Sequence, residues 1–322
     1  MNIIHKLIRG WVPLAVIAAI MVTLPFMGVP RVWIPYLFVF FIYLAMTNMW
    51  NLLAGYSGLV SLCQHGFIGL AGYSLAIFSW YGLPFYLGII LGMVVVGIFA
   101  LIISIPIFRL RGIYFAVGTL VVPEAMRLVF LLWRPAGVGG PLQGGGSGYT
   151  ILGTTGISTI QAYWMALFVA FASILIVRVI LRSKLGIGLK AVRDSERTAT
   201  SSGVNILNIK IYIFIIGAVI TGLAGAIFYA SQQYIEPYSA FSLKWTMILI
   251  LATIIGGMGT QIGPVVGTAI IIAMYFGLAK YGATSLLLQG VILIGVMLLL
   301  PRGIVGEIGR IRRVSSWLIM KK

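Results

Sequence analysis

Long apolar runs alternate with short polar connections along nearly the whole chain. The runs cover about 11–29, 33–53, 63–82, 84–107, 113–133, 162–181, 209–230, 245–279 and 284–300. A bilayer core is crossed by roughly 20 apolar residues of helix, so most of these runs match one crossing. They are continuous, as in Leu87 to Ile107, and lack the weak alternation of a transmembrane β-barrel. The first run follows basic residues, as a signal peptide would. Its length and its lack of a small-x-small cleavage site predict an uncleaved span instead.

Two runs are irregular. The run 245–279 is too long for one crossing, and its middle reads IIGGMGTQIGP, residues 254–264. Gly256, Gly257 and Gly259 weaken a helix there, and Pro264 suits a first helical turn. Two segments meeting at a cytoplasmic-side turn are expected. Counting both turns nine apparent runs into about ten transmembrane or re-entrant helices, which lets both termini lie on one side. The second irregular stretch is GYSGLVSLCQHGFIGLAGY, 55–73, where five glycines interrupt the run among Ser57, Ser61, Gln64 and His65. Unwound backbone at membrane depth is tolerated where protein or a water-filled cavity covers it. Close packing through small residues reads the same stretch equally well. Ala218, Gly222, Ala226 and Ala230 repeat every four residues and predict one packing face.

Composition fits an all-α polytopic membrane protein of one domain, 1–322: 61% of residues are hydrophobic and mean hydropathy is +1.11. The net charge of +17 could suggest nucleic acid, but its distribution excludes that. Basic residues collect at the two ends, at Arg109 and Arg111, and from Arg182 to Lys210, whereas Pro135 to Val177 has none. This is the bias that membrane insertion leaves. It predicts cytoplasmic termini, a cytoplasmic loop at about 182–208, and an external loop at about 134–162. The Gly-rich part of that external loop, 135–149, reads as a docking loop or a flexible connector. The single cysteine, Cys63, leaves no internal disulfide and no multi-cysteine metal site.

Catalytic motifs are missing. There is no GxxxxGK[ST] to cradle nucleotide phosphates, no HExxH and no GxSxG. Ser61 and His65, four apart, are the one enzyme-like pairing. Inside the fifth run, Glu124 and Arg127 stand three apart. Intramembrane charge points to function by default, while a self-paired i,i+3 bridge near the outer end is the plainer reading. The charged island KAVRDSERTATSSG, 190–203, predicts a short helix over about 188–202. Leu189, Val192 and Ala199 form a narrow apolar stripe, flanked by Lys190, Arg193, Asp194, Glu196 and Arg197. Gly203 stops the helix, and Asn205 precedes the next run. The stripe lacks the large apolar face that lipid binding needs, so a protein partner is expected.

In order, NLLAGYSGLVSLCQHGFIGLAGY (51–73), RLRGIYFAVGTLVVPEAMRLV (109–129), GLKAVRDSERTATSSGVN (188–205), ILATIIGGMGTQIGPVVG (250–267) and LLPRGIVG (299–306) resemble the permease subunits of bacterial ABC importers for branched-chain amino acids. The longer of the two permease types, with a type II-like fold, is the nearer likeness. Cys63-Gln64-His65-Gly66 and Thr198 to Ser202 depart from that family's usual small residues. The resemblance implies a non-catalytic subunit in a bacterial or archaeal inner membrane. Its partners would be a second homologous permease, two cytoplasmic ATPases that bind ATP and Mg, and an extracytoplasmic binding protein. The chain itself would carry no cofactor. The resemblance assigns ATPase coupling to Lys190, Arg193, Asp194, Glu196, Arg197, Ala199 and Gly203. Ser57, Ser61, Gln64, His65, Glu124, Gly257 and Gly259 are the translocation-pathway candidates. Other amino acids, urea or short amides remain open as substrates, as does a stand-alone secondary transporter.

Overall fold

The computed structural model describes residues 16–27, 30–139, 143–194, 205–281, 284–300 and 303–307. Helices dominate: α1 (Val16–Phe26), α2 (Trp33–Asn51), α3 (Gln64–Trp80), α4 (Phe85–Ile107), α5 (Ile113–Leu132), α6 (Thr159–Arg182), α7 (Lys184–Asp194), α8 (Ile206–Gln232), α9 (Pro237–Ala240), α10 (Leu243–Gly256), α11 (Gly263–Leu278) and α12 (Thr284–Leu299). Among the described residues, seven helical runs are long and apolar enough to cross a membrane. The protein is therefore an all-α, multi-pass membrane protein.

Both expected interruptions are present. Helix α2 passes into a π-turn at Leu52–Tyr56, and α3 begins at Gln64 after a non-helical stretch. The run 245–279 divides at 257–262. Gly257 and Gly259 take φ of 117° and 74°, a region that residues with a Cβ rarely enter. Pro264 stands in the first turn of α11, where its missing N–H costs nothing.

Lipid tails are as apolar as leucine, so close packing has to hold such helices together. The centre is α2, α3 and α8, with Trp50, Phe67, Tyr73 and Phe214 fully buried. Ala218, Ala226 and Ala230 are fully buried too. A Cβ at Gly222 would lie 3.1 Å from Val96 of α4, and one at Gly225 would lie 2.8 Å from the Ile68 backbone of α3. The four-residue repeat is thus the packing seam of α8. Helices α10 and α11 approach even more closely: a Cβ at Gly267 would fall 1.7 Å from the Ala252 carbonyl oxygen.

The loop between α5 and α6 carries a short strand. Tyr149–Thr150 pairs antiparallel with Tyr234–Ile235. Trp80 Nε1 donates to the Thr150 carbonyl at 2.9 Å, and the Leu152 N–H donates to Ser79 Oγ at 3.0 Å. This small sheet caps the end where α3, α5 and α8 finish. Helix α6 starts there with a reciprocal Ser158–Gln161 capping box.

At the opposite end, α7 starts at Lys184, four residues before the boundary expected at Gly188. Gly186 and Gly188 lower helix propensity and hide the true start. Packing overrides propensity: a Cβ at Gly186 would sit 2.5 Å from the Leu181 carbonyl oxygen, so the turn from α6 needs glycine. Beyond Asp194 the island's Glu196, Arg197, Ala199 and Gly203 lie outside the described residues. Asn205 caps α8, its side-chain oxygen accepting from the Asn208 N–H at 3.1 Å.

Candidate functional site

The α7 end of the bundle brings the two interrupted runs together. Asn51, the last residue of α2, bridges them. Its Nδ2 donates to the Thr260 carbonyl at 2.9 Å, and its Oδ1 accepts from the Gly259 N–H at 2.8 Å. Each break leaves backbone groups without helical partners, and one amide side chain satisfies a donor and an acceptor of the second break. Contact is close: a Cβ at Gly55 would lie 2.5 Å from the Gly259 nitrogen. Within the second break, Thr260 Oγ1 donates to the Gly257 carbonyl at 2.7 Å and accepts from the Gly263 N–H at 3.0 Å.

Helix α7 joins this junction. Leu189 and Val192 are buried, as the apolar stripe requires, while Lys190, Arg193 and Asp194 face outward. From that outward position Arg193 Nη1 reaches the Gly55 carbonyl at 2.8 Å. A Cβ at Gly259 would lie 3.1 Å from the same nitrogen. One guanidinium on a surface helix therefore touches the π-turn of the first break and lies against the glycine turn of the second.

A buried polar cluster lies beyond the first break. Trp50 Nε1 donates to the Ser61 carbonyl at 2.9 Å, and the Leu62 N–H donates to Thr119 Oγ1 of α5 at 2.9 Å. Ser57 Oγ turns back on the Leu53 carbonyl at 2.6 Å. His65 Nδ1 shares a 2.8 Å hydrogen bond with Thr246 Oγ1 of α10. Gln64 is fully buried, and among the described residues neither end of its amide has a hydrogen-bonding partner. Burying such a group costs free energy unless something pairs with it.

The Ser61–His65 pairing does not form. Ser61 precedes α3 in non-helical chain, and its Oγ accepts from the Cys63 N–H at 3.3 Å. The four-residue spacing faces two side chains together only on a continuous helix. Glu124 and Arg127 do pair with each other. The Glu124 side chain is 54% exposed and Arg127 lies 5.1 Å from the Tyr238 ring centroid, so the pair stands on an open face of α5. Among the described residues no three His, Cys, Asp or Glu side chains gather as a metal site.

Sequence reasoning found the glycines and missed Asn51, Thr119 and Thr246. Each sits in or beside an apolar run, where one small polar residue carries no pattern.

The family described as "Branched-chain amino acid transport system / permease component" matches residues 33–300. The chain belongs to that family. Among relatives, the high-affinity branched-chain amino acid transport system permease protein LivM of Salmonella typhimurium is 27% identical over 290 residues, 82% of this chain and 67% of that protein. LivM of Escherichia coli K12 is 26% identical over the same shares. The LivH permease of Escherichia coli K12 is 28% identical over 159 residues, 47% of this chain and 49% of that protein. No solved structure matches. The LivM likeness spans most of this permease, whereas the LivH likeness spans about half, which fits the longer permease type.

Proposed function

We propose that this permease forms, with a second homologous permease, the translocation pathway of an ATP-driven importer for leucine, isoleucine and valine. One of two ATPases docks on α7 and the residues that follow it, and an extracytoplasmic binding protein delivers substrate to the sheet-capped end. The observation that carries this reading is the Arg193–Gly55 hydrogen bond. It ties a surface helix to the first of the two places where membrane helices are interrupted, which Asn51 links to the second.

Movement of α7 then has a short route inward. Displacing Arg193 acts on the Gly55 carbonyl in the π-turn. The Asn51 bridge couples that turn to 257–262, and the Leu62–Thr119 bond couples the same stretch to α5. Two-state packing at such breaks converts a small displacement into a rearrangement of helices. Lys190 and Asp194 contact the ATPase from the exposed side of α7, together with Glu196, Arg197, Ala199 and Gly203. Ser57, Ser61, Gln64 and His65 border the pathway at the first break, and Gly257 and Gly259 supply its turn at the second.

The open face of α5, with Glu124 and Arg127, meets the second permease or the pathway between them. A charged pair at membrane depth is costly against lipid, and on this face the two charges offset each other. The test is reconstitution in vesicles with and without the co-purified subunits. Uptake of leucine, isoleucine and valine is expected to require ATP, the ATPases and the binding protein. Gradient-driven uptake by this chain alone would sink the reading.

A further inference from the structure

We propose that the seam between α3 and α8 binds water, held between the Gln64 amide and the Thr221 hydroxyl. The backbones come close there: a Cβ at Gly225 would lie 2.8 Å from the Ile68 Cα, and one at Gly72 would lie 2.7 Å from Tyr229 Cδ2. Gln64 stands one turn before Ile68, and Thr221 one turn before Gly225. Residues four apart share a helix face, and both helices run toward the sheet-capped end. Gln64 and Thr221 therefore face each other across the seam, one turn nearer the first break.

Both side chains are fully buried. Among the described residues, Gln64 Nε2, Gln64 Oε1 and Thr221 Oγ1 have no hydrogen-bonding partner, so the two residues do not bond each other directly. Other buried hydroxyls in these helices turn back on their own backbone. Ser74 donates to the Leu70 carbonyl, Thr119 to the Ala116 carbonyl and Thr253 to the Leu249 carbonyl, each at 2.8 Å. Thr221 does not. Thr47 of α2 and Thr268 of α11 are unpartnered as well, but neither lies in the α3–α8 seam. Gly217 and Gly225, one turn either side of Thr221, put no α8 side chain beside its hydroxyl. Buried water makes about 3 hydrogen bonds to groups otherwise unsatisfied. Here it can donate to Gln64 Oε1 or accept from Nε2, and its remaining positions serve Thr221 Oγ1 as donor or acceptor.

The permease, with whatever subunits co-purify, is placed in lipid nanodiscs and exposed to a brief X-ray pulse. Hydroxyl radicals formed from bound water label the side chains beside it, and mass spectrometry locates the label. Ile68 and Leu75 of α3 are both fully buried, but Ile68 adjoins the site and Leu75 lies about two turns further on. Corrected for intrinsic reactivity, Ile68 is expected to be labelled at least ~5-fold faster than Leu75. Gln64→Met removes the amide at nearly unchanged volume. It is expected to bring Ile68 down to the Leu75 rate and to lower the melting temperature, because the water and Thr221 lose a partner. Equal labelling of Ile68 and Leu75 in the unmodified protein overturns the proposal, whether slow, as in a dry seam, or fast, as in a seam open to bulk solvent. Ile68 labelling that persists in Gln64→Met overturns it too. So does a melting temperature unchanged or raised in that variant, since removing a dry, unpaired amide costs nothing. The comparison in the unmodified protein decides the matter if Gln64→Met fails to insert.

Discussion

The two helix breaks lie side by side at one end of the bundle but are built on different chemistry. The first, 52–63, is a π-turn followed by non-helical chain. Elements outside its own run hold it: Arg193 from α7 and Thr119 from α5. The second, 257–262, is a glycine turn closed by its own Thr260, with Asn51 as its hydrogen-bonded link to the first. A break that other elements hold can receive a signal from them. A break whose described hydrogen bonds from outside its own run come from Asn51 follows the one it is stapled to. The comparison therefore assigns the first break as transmitter and the second as follower, with Asn51 between them.

The largest effect should come from destroying their contact. In Gly55→Val the new Cβ would lie 2.5 Å from the Gly259 nitrogen and 2.2 Å from Asn51 Oδ1. Overpacking costs about 1–3 kcal/mol where neighbours can relax, and here one neighbour is backbone. The yield of monodisperse protein after detergent extraction is expected to fall by at least ~10-fold, since close helix approach is what holds a membrane bundle together. Normal yield and normal uptake would show that the breaks need not touch.

Next comes removal of the staple alone. Asn51→Ala leaves the part-buried Gly259 N–H and Thr260 carbonyl without their partner, at up to about 1–3 kcal/mol for each. A clear fall in melting temperature is expected, together with loss of uptake, in protein that still inserts. Unchanged stability would mean that the second break does not depend on the first.

The helical plan was legible in the sequence because bilayer thickness sets a run length and glycine with proline marks its breaks. IIGGMGTQIGP announced the second break through residue type alone. The junction was not legible, since Asn51 sits in a segment of hydrophobic residues, and nothing local says that its amide reaches residues 208 and 209 positions away. The start of α7 was misplaced because Gly186 weakens a helix in isolation yet is what the tight turn against Leu181 demands. The loop between α5 and α6 reads from the sequence as a connector or docking loop because two-residue strands carry no periodicity. Its order comes from Tyr149–Thr150 finding Tyr234–Ile235.

Arg193→Gln separates transmission from stability. The side chain is exposed and holds little of the fold together, but it makes the described contact between α7 and the first break. A hydrogen bond from a charged donor is worth about 1.5–3 kcal/mol when protected from water. Partial exposure reduces that, and ATP-driven uptake is expected to fall by about 10-fold while melting temperature and ATPase co-purification hold. If uptake survives, α7 transmits by another route and the first break loses its assigned role.

The smallest effect should come from Glu124→Gln, which probes a region outside both breaks. Glu124 and Arg127 share one turn of α5 and neutralise each other on an open face. Exposed pairs of this kind contribute about 0–1 kcal/mol. If the pair merely makes that face tolerable in the membrane, the amide keeps a hydrogen bond to Arg127. Uptake should then stay within about 3-fold of the unmodified protein, with expression unchanged. The breaks alone would then carry the coupling. A collapse of uptake at normal expression would give α5 a direct part in translocation, and the Leu62–Thr119 bond would become the link between the first break and a charged pathway wall.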